Sequence, residues 1–561
     1  MDSSVTFGSA RSVSTTFFFF LYFENIEHDG KDTTVISLFF ACVTLDWWPA
    51  TKCDFDHCTW DHHSALWDVD LEELRPYAQA MAPFVLRMGG SLQDYVVGEM
   101  QRDDGDCNMT QNFPVNESMP QGFGLGCITM QRLYDIISWC RDVGCQIIWG
   151  LNGLEGRNPD GTGPWNSTST EQILQFLYHH QAPLWAVTLG NEIWAIKMNL
   201  TASQALDTFQ ELNNIITRIW KSGDNRKNDD ASPGRPLIAG FDGNGWSLPF
   251  DFYKNVLPQM KTTGVRLDIL NYHDYPLGSS NVWPDVIDNA LDYNMYESAL
   301  TLAQQAHATA HLYDDDDNND NNNNNHEEGT AKSPFVMVSE SGGSYDSGSL
   351  AATGSFASGF WYLANLAATH AAGNVHFCRQ ALTGGSYELL RSHIRQGSSS
   401  EERQKRLRRP APDYWNTVLY NRLMGQPLIN LTKSAHGTRW LIHCSKRHPS
   451  GLSVLALNYN RTHAQSIRVV QSKDDQPRNV IVYHLTPLSG QNATQAFITE
   501  LNGTPLIVHA DEDHRAILPS LEGKLVKTKR LTVAPLTYAF FELFDVNYSD
   551  ICATRPVTAV G

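Results

Sequence analysis

Apolar runs of strand length alternate with segments of helical period along the first three-quarters of the chain. The runs fall at 38–45, 83–88, 146–151, 184–189, 236–241, 267–272, 334–340 and 374–379. Each precedes a helix-like segment, at 71–81, 130–143, 170–180, 202–221, 252–261, 296–313, 354–372 and 413–424. Eight strict repeats predict an α/β fold of the (β/α)8 barrel type, whose parallel strands are buried on both faces and so read as continuous apolar runs. An open doubly wound sheet shares the local alternation; the count of eight favours closure. After about residue 425 the texture changes to short alternating runs at 439–443, 452–459, 467–470, 480–485 and 534–543, with Gly, Asn and Pro between them. That predicts a β-sandwich. The expected division is a segment 1–37, a barrel 38–425 and a sandwich 426–561. The first segment carries FFFFLYF at 17–23 after Arg11, too short and without a clear cleavage site for a good secretory leader; a targeting segment and a leading strand both stay open.

Composition narrows the function classes. A hydrophobic fraction of 42% with 15 Trp excludes a disordered or fibrous chain, and no run reaches the roughly 20 apolar residues of a membrane span. The net charge of −19 argues against a nucleic-acid partner. Seven of the acids cluster in and just after DDDDNNDNNNNN at 314–325, between the sixth helix and the seventh strand. Such loops lie opposite a barrel's catalytic face, so this reads as a disordered insertion without a catalytic role. A second insertion, 391–409, carries seven Lys/Arg against two Glu and follows strand eight on the catalytic face. Asn-X-Ser/Thr occurs at Asn108, Asn116, Asn166, Asn199, Asn430, Asn460, Asn492, Asn502 and Asn547, which points to a glycoprotein of the secretory pathway, secreted to the cell exterior or wall, membrane-associated, or held in a lysosome or vacuole.

Barrel chemistry sits at the C-terminal strand ends, and two carboxylates stand there: Glu192 after strand four, in TLGNE, and Glu340 closing strand seven, in VMVSE. They face each other across the barrel mouth. Paired carboxylates are what cleavage of a glycosidic bond needs, one protonated to serve the leaving oxygen and one ionised to attack or to activate water.

The motifs LRMGGSLQDYV (86–96), IIWGLNGLEGR (147–157), LGNE (189–192), VSESGGSY (338–345), CRQALTGGSYELL (378–390) and PDYW (412–415) resemble glycoside hydrolase family 79, the heparanase and plant heparanase-like β-glucuronidases, and TLDWWPATKCDFDHCTWDHHS (44–64) is similar to the plant-type branch. The resemblance implies a retaining β-glucuronidase with Glu192 as acid/base and Glu340 as nucleophile, and no cofactor. It implies that Asp46 binds ring hydroxyls, Asn191 the 2-hydroxyl, and that Tyr275 orients the nucleophile. Tyr387 and the backbone at Asp346 and Ser347 match the group that receives the substrate carboxylate; glycines stand at those two positions in heparanase, which leaves the pocket shape open. His273, Arg87, Arg379 and Gln380 are supporting candidates. A cation at Arg87 or Arg379 would keep the nucleophile ionised, with a structural ion pair as the equal alternative.

Cys53, Cys58, His62 and His63 have zinc-ligand types, but a bridge is the preferred reading of the two cysteines and no metal is expected. Cys107 and Cys127 bracket a sequon-rich loop, and Cys444 and Cys552 fall where the family ties its sandwich to the C-terminus; both pairs are expected to be bridged. Cys42, Cys140, Cys145 and Cys378 lie in apolar strands or helices and are expected to be free thiols. The segments 106–126 and 241–261, which flank the cleft with positive charge in heparanase, are not basic here. That favours weakly sulfated glucuronate-bearing polysaccharide, proteoglycan or small glucuronides over an endo-acting heparanase substrate. An inactive glycan-binding matrix protein is the non-enzyme alternative, disfavoured because both carboxylates are present. No Gly-x-Ser-x-Gly stands at a strand-to-helix elbow, which excludes the serine-hydrolase reading.

Overall fold

The computed structural model describes residues 20–21, 40–48, 59–60, 69–98, 107, 113, 116, 123–193, 199–221, 234–243, 249–280, 285–313, 333–391, 407–428, 433–435, 437–469, 476–546, 548 and 552. The tract 314–325, the Cys53–His63 cluster, positions 392–406 of the basic insertion, Asn108, Asn430, Asn547 and most of 17–23 lie outside the described residues.

Eight parallel strands form one sheet: β1 (Ala41–Asp46), β2 (Phe84–Gly89), β3 (Cys145–Leu151), β4 (Leu184–Leu189), β5 (Leu237–Ile238), β6 (Ile269–His273), β7 (Phe335–Ser341) and β8 (Phe377–Arg379). The order runs β5-β4-β3-β2-β1-β8-β7-β6, and a parallel bridge from Ala239 to Ile269 joins its two ends. Every strand therefore neighbours the next in sequence all the way round. A doubly wound sheet, which reverses direction at a switch point, is excluded. Val85, Ile148, Ala186, Ala239, Ile269 and Met337 fill the interior with the side chains of Cys42 and Cys378.

Helices α1 (Leu71–Met81), α2 (Met130–Val143), α3 (Thr168–His179), α4 (Ala202–Lys221), α5 (Pro249–Thr263), α6 (Met295–Ala310), α7 (Ser358–Ala372) and α8 (Pro412–Leu423) form the outer ring. The first two have sharp ends for readable reasons. Asp70 caps α1 by accepting from the Glu72 and Glu73 N–H groups; Thr129 caps α2, and Gly144 at φ 76° closes it. In α4 the buried stripe Ala205, Phe209, Leu212, Ile215, Ile216 and Ile219 keeps the helical period against the sheet.

The C-terminal region is antiparallel. Thr438–Ser445, Leu452–Asn458, Thr537–Leu543 and Arg478–Pro487 pair in that order. Gln465–Val469 and Arg530–Val533 form a second sheet, which Phe20–Leu21 joins in parallel register, Phe20 opposite Arg468. The larger sheet is buried on both faces. Trp440, Ile442, Val454, Ala456, Ala539 and Phe541 face the smaller sheet, while the alternate residues Leu441, Leu455, Leu457, Tyr538 and Phe540 face the barrel. Arg439 reaches α6, stacked between Tyr293 and Tyr296 and donating to Glu297 at 2.6 and 2.8 Å.

The four cysteines expected to be free thiols are bridged instead, as Cys42–Cys378 and Cys140–Cys145. Barrel closure puts β1 beside β8 with Cys42 opposite Cys378, a proximity that a separation of 336 residues hides. The turn at Gly144 brings the end of α2 back to the start of β3, which unites Cys140 and Cys145. Cys107–Cys127 and Cys444–Cys552 are also paired.

Candidate active site

Alternation along each strand decides which polar residues reach the mouth. On β2, Val85 points into the barrel, so Arg87 does too; on β1, Cys42 carries Thr44 and Asp46 inward; on β6, Ile269 carries Asn271 and His273. Glu340 has the wrong parity, because Met337 and Ser339 are the inward pair on β7. The register of β7 shifts after Val338 against both neighbours, and this irregularity turns Glu340 into the mouth. Glu192 follows β4 in a left-handed turn, Gly190 at φ 74° and Glu192 itself at φ 46°.

The buried Glu340 carboxylate accepts from Arg87 Nη1 at 2.8 Å and from the Tyr275 hydroxyl at 2.5 Å. Arg87, fully buried, also donates to Asn191 Oδ1 at 2.7 Å and to Asp242 at 2.8 Å. His273 Nδ1 lies 2.7 Å from Glu192 Oε1 and 4.0 Å from Glu340 Oε1, with Nε2 3.7 Å from Asp242. Donor atoms of Glu192, His273 and Glu340 all fall within 4.8 Å of one another. Glu192 is the open member, with 24% of its side chain exposed.

Charge compensation sets the protonation states. Burial pulls the His273 imidazole down, but Glu340, Asp242 and Glu192 together outweigh it and raise it to about 10. Burial pushes the Asp242 carboxyl up, and Arg87 and His273 reverse that, leaving it well below the usual range. Asp46 is pushed up to about 7 by burial and by Glu340; Gln380 Nε2 donates to it at 2.9 Å, and the Trp47 N–H at 2.6 Å. The group Glu192, His273 and Glu340 is the one set among the described residues with metal-ligand spacing, yet the Arg87 guanidinium beside Glu340 and the raised His273 oppose a further cation there.

On the β7 side, Tyr387 is clasped by Gly342, Gly348 and Gly385, where an added Cβ would lie 2.5–2.7 Å from the ring. Asp346 and Ser347 stand at φ 60° and 63°, so their backbone takes a conformation usually left to glycine. Their side chains turn to protein partners: Ser279 Oγ donates to Asp346 Oδ2 at 2.5 Å, and Trp60 Nε1 donates to Ser347 Oγ at 2.6 Å.

The structure thus gathers Asp46, Arg87, Asn191, Glu192, His273, Tyr275, Glu340 and Gln380 in one linked network, with Asp346, Ser347 and Tyr387 on adjoining loops. Arg379 is elsewhere. Cys378 is inward on β8, so Arg379 points out to Asp413 of α8 at 2.9 Å and over the Trp361 and Tyr362 rings. Two buried acids were missed. Asp242 follows β5 and anchors Arg87; Asp94 accepts from the N–H groups of Asn191 at 2.7 Å and Gly153 at 2.8 Å and is pushed up to about 7 by burial. Asp242 was discoverable as an acid at a strand end, in FDG.

Residues 26–367 match the family model for glycosyl hydrolase family 79, N-terminal domain. Heparanase-like protein 3 of Arabidopsis thaliana is 29% identical over 543 residues, which cover 90% of each chain. Baicalin-β-D-glucuronidase of Scutellaria baicalensis is 27% identical over 553 residues, covering 92% of this chain and 93% of that one. The solved structure of a 4-O-α-L-rhamnosyl-β-D-glucuronidase from Fusarium oxysporum superposes with a TM-score of 0.57 at 12% identity, covering 91% and 97%, a likeness of fold alone.

Proposed function

Because the chain belongs to glycosyl hydrolase family 79 and is an O-glycoside hydrolase, we propose that it is a retaining β-glucuronidase acting on small glucuronides or on glucuronate-bearing glycans. The observation that carries this reading is the approach of Glu192 and Glu340 oxygens to within 4.8 Å. Retaining enzymes hold their two carboxyl groups at about 5–5.5 Å and inverting ones at roughly 6.5–9.5 Å to leave room for a water, and one oxygen of each group lying this close favours the shorter spacing. Glu340, ionised and aimed by Arg87 and Tyr275, attacks the anomeric carbon while Glu192 gives its proton to the departing glycosidic oxygen. A glycosyl ester on Glu340 results. Glu192 then takes a proton from water, which attacks the same carbon, and Glu340 leaves with the configuration retained. Asp46 and Asn191 would hold ring hydroxyls, and Tyr387 with the backbone of Asp346 and Ser347 the substrate carboxylate.

The likeness to a baicalin-β-D-glucuronidase favours a small glucuronide. The endo-acting alternative rests on the basic insertion: if it grips a polyanion, cleavage of heparan sulfate falls steeply with added salt while an aryl glucuronide hardly responds. Proton NMR of the first product released from an aryl glucuronide is expected to show the β-anomer, and Glu340→Gln to abolish its release with unchanged melting. An α-anomer, or a Glu340→Gln enzyme with near-normal turnover, removes the nucleophile assignment.

A further inference from the structure

The sequons have no part in this chemistry. Nitrogen-linked glycans are attached in the oxidising compartment that also forms disulfides, and all eight described cysteines are bridged. The asparagines differ in what their amides do. Asn502, half-buried at φ 51° in the turn between Thr499–Leu501 and Thr504–Pro505, accepts from the His484 N–H at 3.1 Å and donates to the Val482 carbonyl at 2.9 Å. Both ends of that amide are engaged by the backbone of Arg478–Pro487, which fixes its orientation and holds it half-buried.

Asn166 and Asn199 are exposed. In Asn166-Ser-Thr the side-chain oxygen accepts from the Thr168 N–H at 3.1 Å and hydroxyl at 2.7 Å, and the nitrogen has one long contact, 3.3 Å, to Glu155. Asn199 donates its backbone N–H to the Asp160 carbonyl at 2.7 Å and its side chain bonds the exposed Asp160 carboxylate, which ties its loop to the one that carries Asn166. These loops leave β3 and β4 at the end of the barrel where Glu192 stands, and Asn199 is seven positions beyond Glu192, at most about 25 Å of extended chain.

We propose that Asn166 and Asn199 carry N-linked glycans that fence the β3–β4 side of the mouth, excluding chains that must cross it while admitting small glucuronides and chain ends, and that Asn502 stays bare. The fence rests on the glucuronidase reading; occupancy does not. Glycopeptide mass spectrometry of the full chain from a secretory host should find sugar at Asn166 and Asn199 and none at Asn502. Bare Asn166 and Asn199, or an occupied Asn502, overturns the assignment. The double variant Asn166→Gln, Asn199→Gln should keep wild-type kcat/KM on an aryl glucuronide and gain several-fold on a glucuronate-containing polysaccharide. Equal response of the two substrates overturns the fence. Absence of aryl-glucuronide hydrolysis in the wild type would instead count against the function itself, with the occupancy result unaffected.

Discussion

Two buried polar clusters in this molecule treat the same residue type in opposite ways. At the mouth, His273 is surrounded by Glu192, Glu340 and Asp242, with Arg87 and Tyr275 beyond them, and is raised to about 10. Where α7 and α8 meet Thr438–Ser445, His370 stacks on Phe40 at 4.1 Å, its ring centroid 5.2 Å from that of His443, and Lys446 donates to the Asn421 carbonyl at 3.0 Å. Burial, reinforced by mutual repulsion of the bases, drives His370 well below its ordinary value; burial drives His443 down to about 4 and Lys446 to about 7. Burial alone does not set a histidine's charge. What matters is whether carboxylates are buried with it. The mouth is a matrix of compensated charges; the base of the barrel buries bases whose protonation is disfavoured.

The largest effect should come from breaking compensation at the mouth. Arg87→Met leaves the fully buried Asp242 and Glu340 with His273 as the cation beside them. Loss of one partner from a buried ion network costs about 3–5 kcal/mol, and loss of a preorganised electrostatic contact about 10²–10³-fold in kcat. Denaturant titration and aryl-glucuronide turnover measure the two. A variant within about 1 kcal/mol of wild type would mean the network is not charge-compensated in the way described.

The neutral cluster makes a prediction about pH. Unfolded histidine titrates near 6.5, whereas His443 in the fold titrates near 4. Between those values the unfolded chain binds a proton that the folded chain refuses, so this group costs no stability above pH 6.5 and its full cost is present below pH 4. The shift corresponds to about 3 kcal/mol. Asp46, Asp94 and Asp274, all raised to about 7, act in the opposite sense, because the fold takes up their protons first as pH falls. The readout is therefore the difference between wild type and His443→Phe: the variant should lose about 3 kcal/mol less than wild type between pH 7 and pH 4. Parallel stability curves would refute the neutral-base description.

How much of this was legible in the chain follows from range. Helices α1, α2 and α4 are bounded by local signals, the caps at Asp70 and Thr129 and the stripe of α4, and their observed limits are those read from sequence. Strand β5 is shorter than its apolar run because after Ile238 the chain keeps only single bridges, Ala239 to Ile269 and Asp242 to Asn191. Arg87 and Arg379 look alike in sequence, an arginine near a strand end; only the parity set by Val85 and Cys378 in the closed barrel sends one to Glu340 and the other to Asp413. Glu340 was found although its parity is wrong, because its motif stood out and not because the register shift could be foreseen. The Cys42–Cys378 bridge and the anchoring role of Asp242 depend on closure, which no local pattern records.

The smallest effect gives the most direct contrast, because one substitution can be made in both clusters. Tyr275 donates to the Glu340 carboxylate, which Arg87 also holds, and Tyr420 shares a 3.1 Å hydrogen bond with His370, whose protonation burial disfavours. A hydrogen bond to a charged group is worth about 1.5–3 kcal/mol and a neutral one about 1 kcal/mol. Tyr275→Phe should lower stability by about 1.5–3 kcal/mol, and on the proposed mechanism kcat should fall roughly 10- to 100-fold, because the lost bond would aim the proposed nucleophile. Tyr420→Phe should leave kcat and KM at wild-type values and lower stability by about 1 kcal/mol, since the ring stays buried and His370 loses only a neutral partner. Equal kinetic losses in the two variants would erase the distinction between a cluster that works through its charges and one that works by excluding them.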